Sequence, residues 1–281
     1  MKKPARKIAF VLLCVAPVVV APLVAQRSLR SGGMHIAIGI VCFALIVMSA
    51  WILGRDSMRA GDRNRMIAIA GSLLIAPWAI IALLWIGVAT PWDATPSENV
   101  MRYEVLAVAS IAVTIGFVFL YRVLSTSGEI LFSTFAVSFA LLAGAAYLTW
   151  TCFQTGVWLI RANRESVTPA IADMNIILDV QLFFAGAMTY VAAAAGVASM
   201  VRTKLLSWRA GAVYVGLSAL ALTLLVMRGV TFPNPNASST PWYETPGFIV
   251  GIPAMPWLIP FLMGVILLYR TPESSDNRRD K

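Results

Sequence analysis

Eight runs of roughly twenty apolar residues dominate this chain, at 8–25, 35–53, 66–89, 103–121, 130–152, 180–201, 207–227 and 247–269. Crossing the hydrocarbon core of a bilayer takes about 20 such residues in a helix. Within lipid the backbone must pair with itself, which a helix does inside each run. The expected fold class is therefore all-α, a polytopic transmembrane helical bundle of eight spans forming one domain over 1–281. Residues 271–281 would be a polar tail. Composition agrees: 59% of the residues are hydrophobic and 12% charged, against about 25% charged in soluble domains. A disordered chain, a disulfide scaffold and a soluble enzyme are excluded.

The net charge of +9 does not point to nucleic acid, because the basic residues lie in short loops instead of on one face. Their distribution gives orientation. With the N-terminus in the cytoplasm, sixteen of the 22 Lys and Arg fall on the inner side and six on the outer. That is the positive-inside bias, and it places both termini in the cytoplasm. The loop Gly-Arg-Asp-Ser-Met-Arg-Ala-Gly-Asp-Arg-Asn-Arg at 54–65 is its clearest element. The first apolar run is read as an uncleaved helix; the alternative, a secretory signal cut after Ala25, would leave seven spans.

Few residues offer chemistry. His35 is the single histidine, and Cys14, Cys42 and Cys152 are scattered, so neither a bis-histidine haem nor a zinc site is expected and no cofactor is implied. No catalytic motif is visible. Thr126 and Glu129 read as a capping box at the start of the fifth span. Glu104 and Asp179 read as acids at the outer starts of spans four and six, where the helix dipole favours them. They are also candidate ligands for a proton or cation, on an outer face carrying Asp93, Glu98, Glu165, Asp173 and Glu244 as well. Glu98 and Arg102, four apart, read as a solvated helix pair. Trp51, Trp85, Trp92, Tyr103, Tyr121, Trp208, Trp242, Tyr243 and Tyr269 read as interfacial anchors.

Two patterns concern architecture. Ala136, Ala140 and Gly144 on span five, with Ala192, Ala195, Gly196 and Ser199 on span six, form small-residue faces that let backbones approach; they predict close packing of five against six. Thr90-Pro-Trp-Asp-Ala-Thr-Pro96 and Thr240-Pro-Trp-Tyr-Glu-Thr-Pro246 share one heptapeptide pattern. It is compatible with parallel four-helix halves, 1–125 and 126–270. The outer loops 90–102, 153–179 and 228–246 are longer than the inner ones; within the second, 152–164 either continues the fifth helix past the membrane or lies flat on the outer surface. Asn236-Ala-Ser238 is a chance glycosylation match.

The last span departs from plain helix logic. Pro253, Pro256 and Pro260 each remove a backbone donor, freeing the carbonyls of Ile249, Ile252 and Pro256. Free carbonyls at membrane depth need neighbours, water or a ligand. The predicted consequence is a break near Pro253 and Pro256 with a cavity beside it, toward which Pro77 kinks span three. The leading functional expectation is binding or transport of a neutral or lipid-like ligand in that cavity. The alternative is a noncatalytic scaffolding or sensory subunit acting through its outer loops on a membrane protein partner or a second copy.

Residues 183–211, Phe-Phe-Ala-Gly-Ala-Met-Thr-Tyr through a basic turn to Leu-Leu-Ser-Trp-Arg-Ala-Gly, carry a resemblance. The chain is similar over about residues 100–270 to uncharacterised bacterial multi-pass membrane proteins of the DUF4386-like kind. The resemblance implies a helical bundle in the bacterial cytoplasmic (inner) membrane and brings no catalytic residues with it.

Overall fold

Each apolar run pairs its own backbone, and the computed structural model of the chain, which describes residues 3–24, 26–163, 165–230 and 245–270, is accordingly helical. The helices are α1 (Lys3–Leu23), α2 (Met34–Met58), α3 (Asp62–Leu84), α4 (Pro96–Ser125), α5 (Leu131–Ala162), α6 (Pro169–Arg202), α7 (Trp208–Arg228), α8 (Phe248–Gly251) and α9 (Leu258–Arg270). The first seven are long and apolar enough to cross a membrane. Sequential helices from α1 to α7 pack on one another. The second heptapeptide up to Glu244, Trp242, Tyr243, Asn236–Ser238 and the 271–281 tail lie outside the described residues.

Three helices start or end well beyond their apolar runs. α5 and α6 contain 32 and 34 residues, about 48 and 51 Å at the usual rise. Most of 153–179 is helix: α5 runs on to Ala162, the first of the two readings for 152–164, and α6 begins at Pro169. Apolar-run counting stops where polar residues begin, but a helix does not, since water tolerates a paired backbone. α4 begins at Pro96, seven residues before its apolar run. Thr95 is its N-cap in a capping box with Glu98, and Pro96 fills the first turn where no donor is needed.

These starts correct two expectations. Glu104 and Asp179 are not at helix N-termini, because α4 and α6 begin at Pro96 and Pro169. The dipole argument for them lapses, since the effect fades within the first turn. The capping box read at Thr126 and Glu129 does not form either. Thr126 ends α4, its hydroxyl donating to the Arg122 carbonyl at 2.8 Å. Glu129 caps α5 alone, from outside the helix: its carboxylate accepts from the Phe132 and Ser133 amides at 3.1 and 3.0 Å.

The eighth apolar stretch is not one helix. α8 has four residues, Ile252 is extended (φ −62°, ψ 130°), and a 3-10 turn at Met255–Trp257 leads into α9. The residue before a proline is pushed out of the α region, so Pro253 sets the break at Ile252. Pro256 falls in the 3-10 turn and Pro260 in the first turn of α9, where neither missing donor matters. The 13 residues of α9 extend about 20 Å, less than the ~30 Å hydrocarbon core. Two of the three freed carbonyls are met by protein. The Ile249 and Ile252 oxygens accept from the amides of Ile252 and Met255 at 3.1 and 2.8 Å. The Tyr190 hydroxyl donates to the Val250 carbonyl at 2.9 Å and the Tyr147 hydroxyl to the Pro253 carbonyl at 3.2 Å.

α9 is the most enclosed element, packed mainly on α3 and flanked by α1, α2 and α6. Trp78 of α3 meets Phe261 of α9 edge-on at 6.2 Å. α7 is peripheral, with only Gly211, Ser218 and Leu225 buried. α5 does pack along α6, but the glycines of the small-residue faces look elsewhere. A side chain at Gly144 would strike Thr114 of α4; one at Gly196 would meet Met263 of α9 at 2.9 Å and Phe117 of α4 at 3.3 Å, with Ala136 of α5 at 3.8 Å. The spacing of four located tight faces without identifying their partners.

Candidate functional site: an aromatic cavity at one end of the bundle

A cavity of about 510 Å³ opens at the end where α3 and α5 finish and α4 and α6 begin. That is within the 300–1,000 Å³ range of ligand pockets. The break after α8 supplies one wall through Ile252, Pro253, Ala254 and Met255. Aromatic rings supply a large part of the rest. Trp78, Trp85, Trp92, Trp150 and Trp158 all line it, five of the nine tryptophans. Tyr103 joins them, edge-on to Trp150 at 5.2 Å.

The rim is stapled by polar contacts. Arg102 donates to Asn99 Oδ1 and to the Ala89 carbonyl. Asn99 Nδ2 in turn donates to the Pro91 carbonyl at 2.8 Å. These hold the 89–91 segment against α4. Glu98 accepts from the Thr95 amide and hydroxyl, both at 2.7 Å, and pairs with Arg30 from the turn after α1. An antiparallel bridge joins Val24 to Ile86. Across the cavity Gln154 Nε2 donates to Asn175 Oδ1 at 2.5 Å, linking α5 to α6. The Arg161 guanidinium lies 4.5 Å over the Trp158 ring.

The indole N–H groups of Trp78, Trp85 and Trp150 have no hydrogen-bond partner, although these residues are only 3%, 6% and 4% exposed. Trp150 faces the Asp179 carboxylate without closing a normal hydrogen bond. Leaving a buried donor unmade costs about 1–3 kcal/mol; these nitrogens are shut off from the open space, and it is the ring carbons that face it. Arg102, 7% exposed, sits 5.9 Å from the Trp85 ring.

Of the residues singled out from sequence, Ile252, Pro253 and Asp179 line this cavity. Pro256, Pro260 and Pro77 are buried and do not line it; Ile249 is 49% exposed and Glu104 exposed, both facing away. The expected outer cation cluster is not assembled: among the described residues no three His, Cys, Asp or Glu side chains come together. Glu98 and Arg102 are not a solvated pair, both being buried with separate partners. Trp51 and Trp208 are exposed, as interfacial anchors should be, whereas Trp85 and Tyr103 are buried in the site. The missed signal was the gathering of Trp78, Trp85, Trp92, Trp150 and Trp158 toward the same ends of α3 and α5, with Arg102 beside them. Comparison with protein families, with curated proteins and with solved structures finds no match to this chain.

Proposed function

We propose that the protein is a multi-pass protein of the bacterial inner membrane that binds a lipid-like small molecule in the aromatic cavity. In this reading both termini are cytoplasmic, the broken 248–270 segment completes an eighth crossing, and the cavity faces the outer side. The bias of sixteen basic residues to six supports the orientation. The resemblance of residues 100–270 to bacterial multi-pass proteins supports the compartment. The observation that carries the ligand is the cavity itself: about 510 Å³ walled by five indoles beside a proline break. Flat apolar walls with a few placed donors suit an amphipathic guest.

The ligand is tested by mass spectrometry of small molecules retained after purification. A species enriched with the native protein should be lost from Val157→Trp, which fills a buried, lining position. Equal retention by the variant would place the molecule elsewhere. The orientation is tested on a cysteine-free background. Asp93→Cys should label with an impermeant maleimide in intact cells, and Met58→Cys only after lysis; both positions are exposed. The opposite pattern inverts the protein.

A second reading, a scaffolding or sensory subunit with a membrane protein partner or a second copy, draws on the α5–α6 extension. Leu159, Met174, Ile176 and Ile177 are exposed there. Native-membrane purification that brings down no partner and a monomeric species would remove this reading.

A further inference from the structure

Arg102 holds a buried positive charge with no carboxylate against it. Among the described residues it makes no ion pair, and its hydrogen bonds go to neutral oxygens of Asn99 and Ala89. Glu98, one turn earlier, is committed to Arg30 and to the Thr95 cap. The acidic side chain that lines the cavity, Asp179, is influenced by Arg228 and Trp150, not by Arg102. A guanidinium carries five N–H donors, of which two are used here. A cation held out of water is costly unless something negative joins it.

Resting on the cavity reading above, we infer that the guest is an anionic amphiphile. Its head is a carboxylate or phosphate ester seated against Arg102. A guanidinium only donates, and an anionic head only accepts. Its chain lies along the indole faces toward Leu106, Leu182 and Ile81, a wall with nothing to hydrogen-bond. A neutral head would leave the Arg102 charge uncompensated, and a small free anion would leave the apolar wall unfilled.

The test uses the full chain in phosphatidylcholine nanodiscs and reads quenching of tryptophan fluorescence by brominated probes. The probes are dibrominated stearyl alcohol and its phosphate monoester, with inorganic phosphate as competitor. The ester should quench saturably, half-saturating at about ten-fold lower concentration than the alcohol, the ratio expected of one charged hydrogen-bonded contact. Arg102→Gln should remove that preference. Arg102→Lys, which keeps the charge and loses the planar fork, should weaken the ester and leave the alcohol unchanged; it serves if Arg102→Gln does not fold. Equal half-saturation by ester and alcohol in the native protein overturns the anionic head while leaving the cavity reading intact. Preference retained undiminished in both variants overturns the assignment to Arg102. Displacement by inorganic phosphate at the ester's own concentration overturns the amphiphile. Absence of saturable quenching by either probe overturns the cavity reading itself.

Discussion

Gly264→Leu is expected to destabilise the protein by about 3 kcal/mol, the upper end of overpacking costs, and to lower its Tm in detergent more than any substitution on α5. A Cβ at Gly264 would lie 2.6 Å from the Gly71 carbonyl oxygen, 3.0 Å from Leu74 Cβ and 3.2 Å from Ile75 Cγ1. From the other side, a Cβ at Gly71 would lie 3.0 Å from the Gly264 oxygen and 2.9 Å from the Leu268 side chain. The two backbones are in contact, and a carbonyl fixed in a helix has no rotamer with which to retreat. Gly71→Leu should therefore behave like Gly264→Leu. Gly144→Leu meets the Thr114 side chain instead, which can yield by giving up its hydrogen bond to the Ser110 carbonyl, and should cost less, about 2 kcal/mol. Thermal unfolding of the three variants checks the order. Equal losses at Gly264 and Gly144 would show that α9 is not held against α3 by backbone contact. The consequence reaches the site, because α9 follows directly on the break whose Ile252 and Pro253 wall the cavity.

Glu129→Gln is the second large effect, on the order of 3 kcal/mol at neutral pH. The Glu129 carboxylate is buried at the α4–α5 turn. It accepts from two α5 amides and from the Ser199 hydroxyl of α6, with Arg202 at 3.8 Å. Glutamine offers one acceptor oxygen and turns an N–H₂ toward those donors. Burial by itself raises the Glu129 pKa, but the Ser199 hydroxyl, the Phe132 and Ser133 amides and the Arg202 charge together outweigh it and hold the carboxyl below its ordinary value. A folded pKa below the unfolded one, about 4.3, means the stabilisation is complete above the unfolded value. It is lost as pH falls through the folded value. The Tm gap between native protein and Glu129→Gln should therefore be widest at neutral pH and shrink as the pH drops below about 4. A gap unchanged down to pH ~3 would mean that the ionised carboxylate is not the cap.

Helix existence was legible because it follows from local terms: long apolar runs, backbone self-pairing, and the steric rule that Pro253 imposes on Ile252. The same local reasoning predicted a break in the last apolar stretch, and the chain turns there. Helix ends were less legible. Hydropathy marks where lipid would stop, not where hydrogen bonding stops, so the Thr95–Glu98 box and the early start of α6 at Pro169 were not legible, although the run-on of α5 past its apolar run was. Composition alone also could not separate an interfacial tryptophan from a cavity wall. Trp51 and Trp85 occupy similar places at the ends of apolar runs, yet one is exposed and the other buried. Partner choice was decided only in three dimensions. Gly144 and Gly196 announce close approach by their spacing, but which helix comes close depends on how the helices share one core. Arg102 makes the same point chemically. Four residues from Glu98 it looks like half of a solvated pair, and only the loop folding back through Ala89 and Pro91 removes it from water and from its acid. Charge, spacing and hydropathy are properties of neighbours along the chain. Burial and pairing are properties of neighbours in space, and the cavity is made of the second kind.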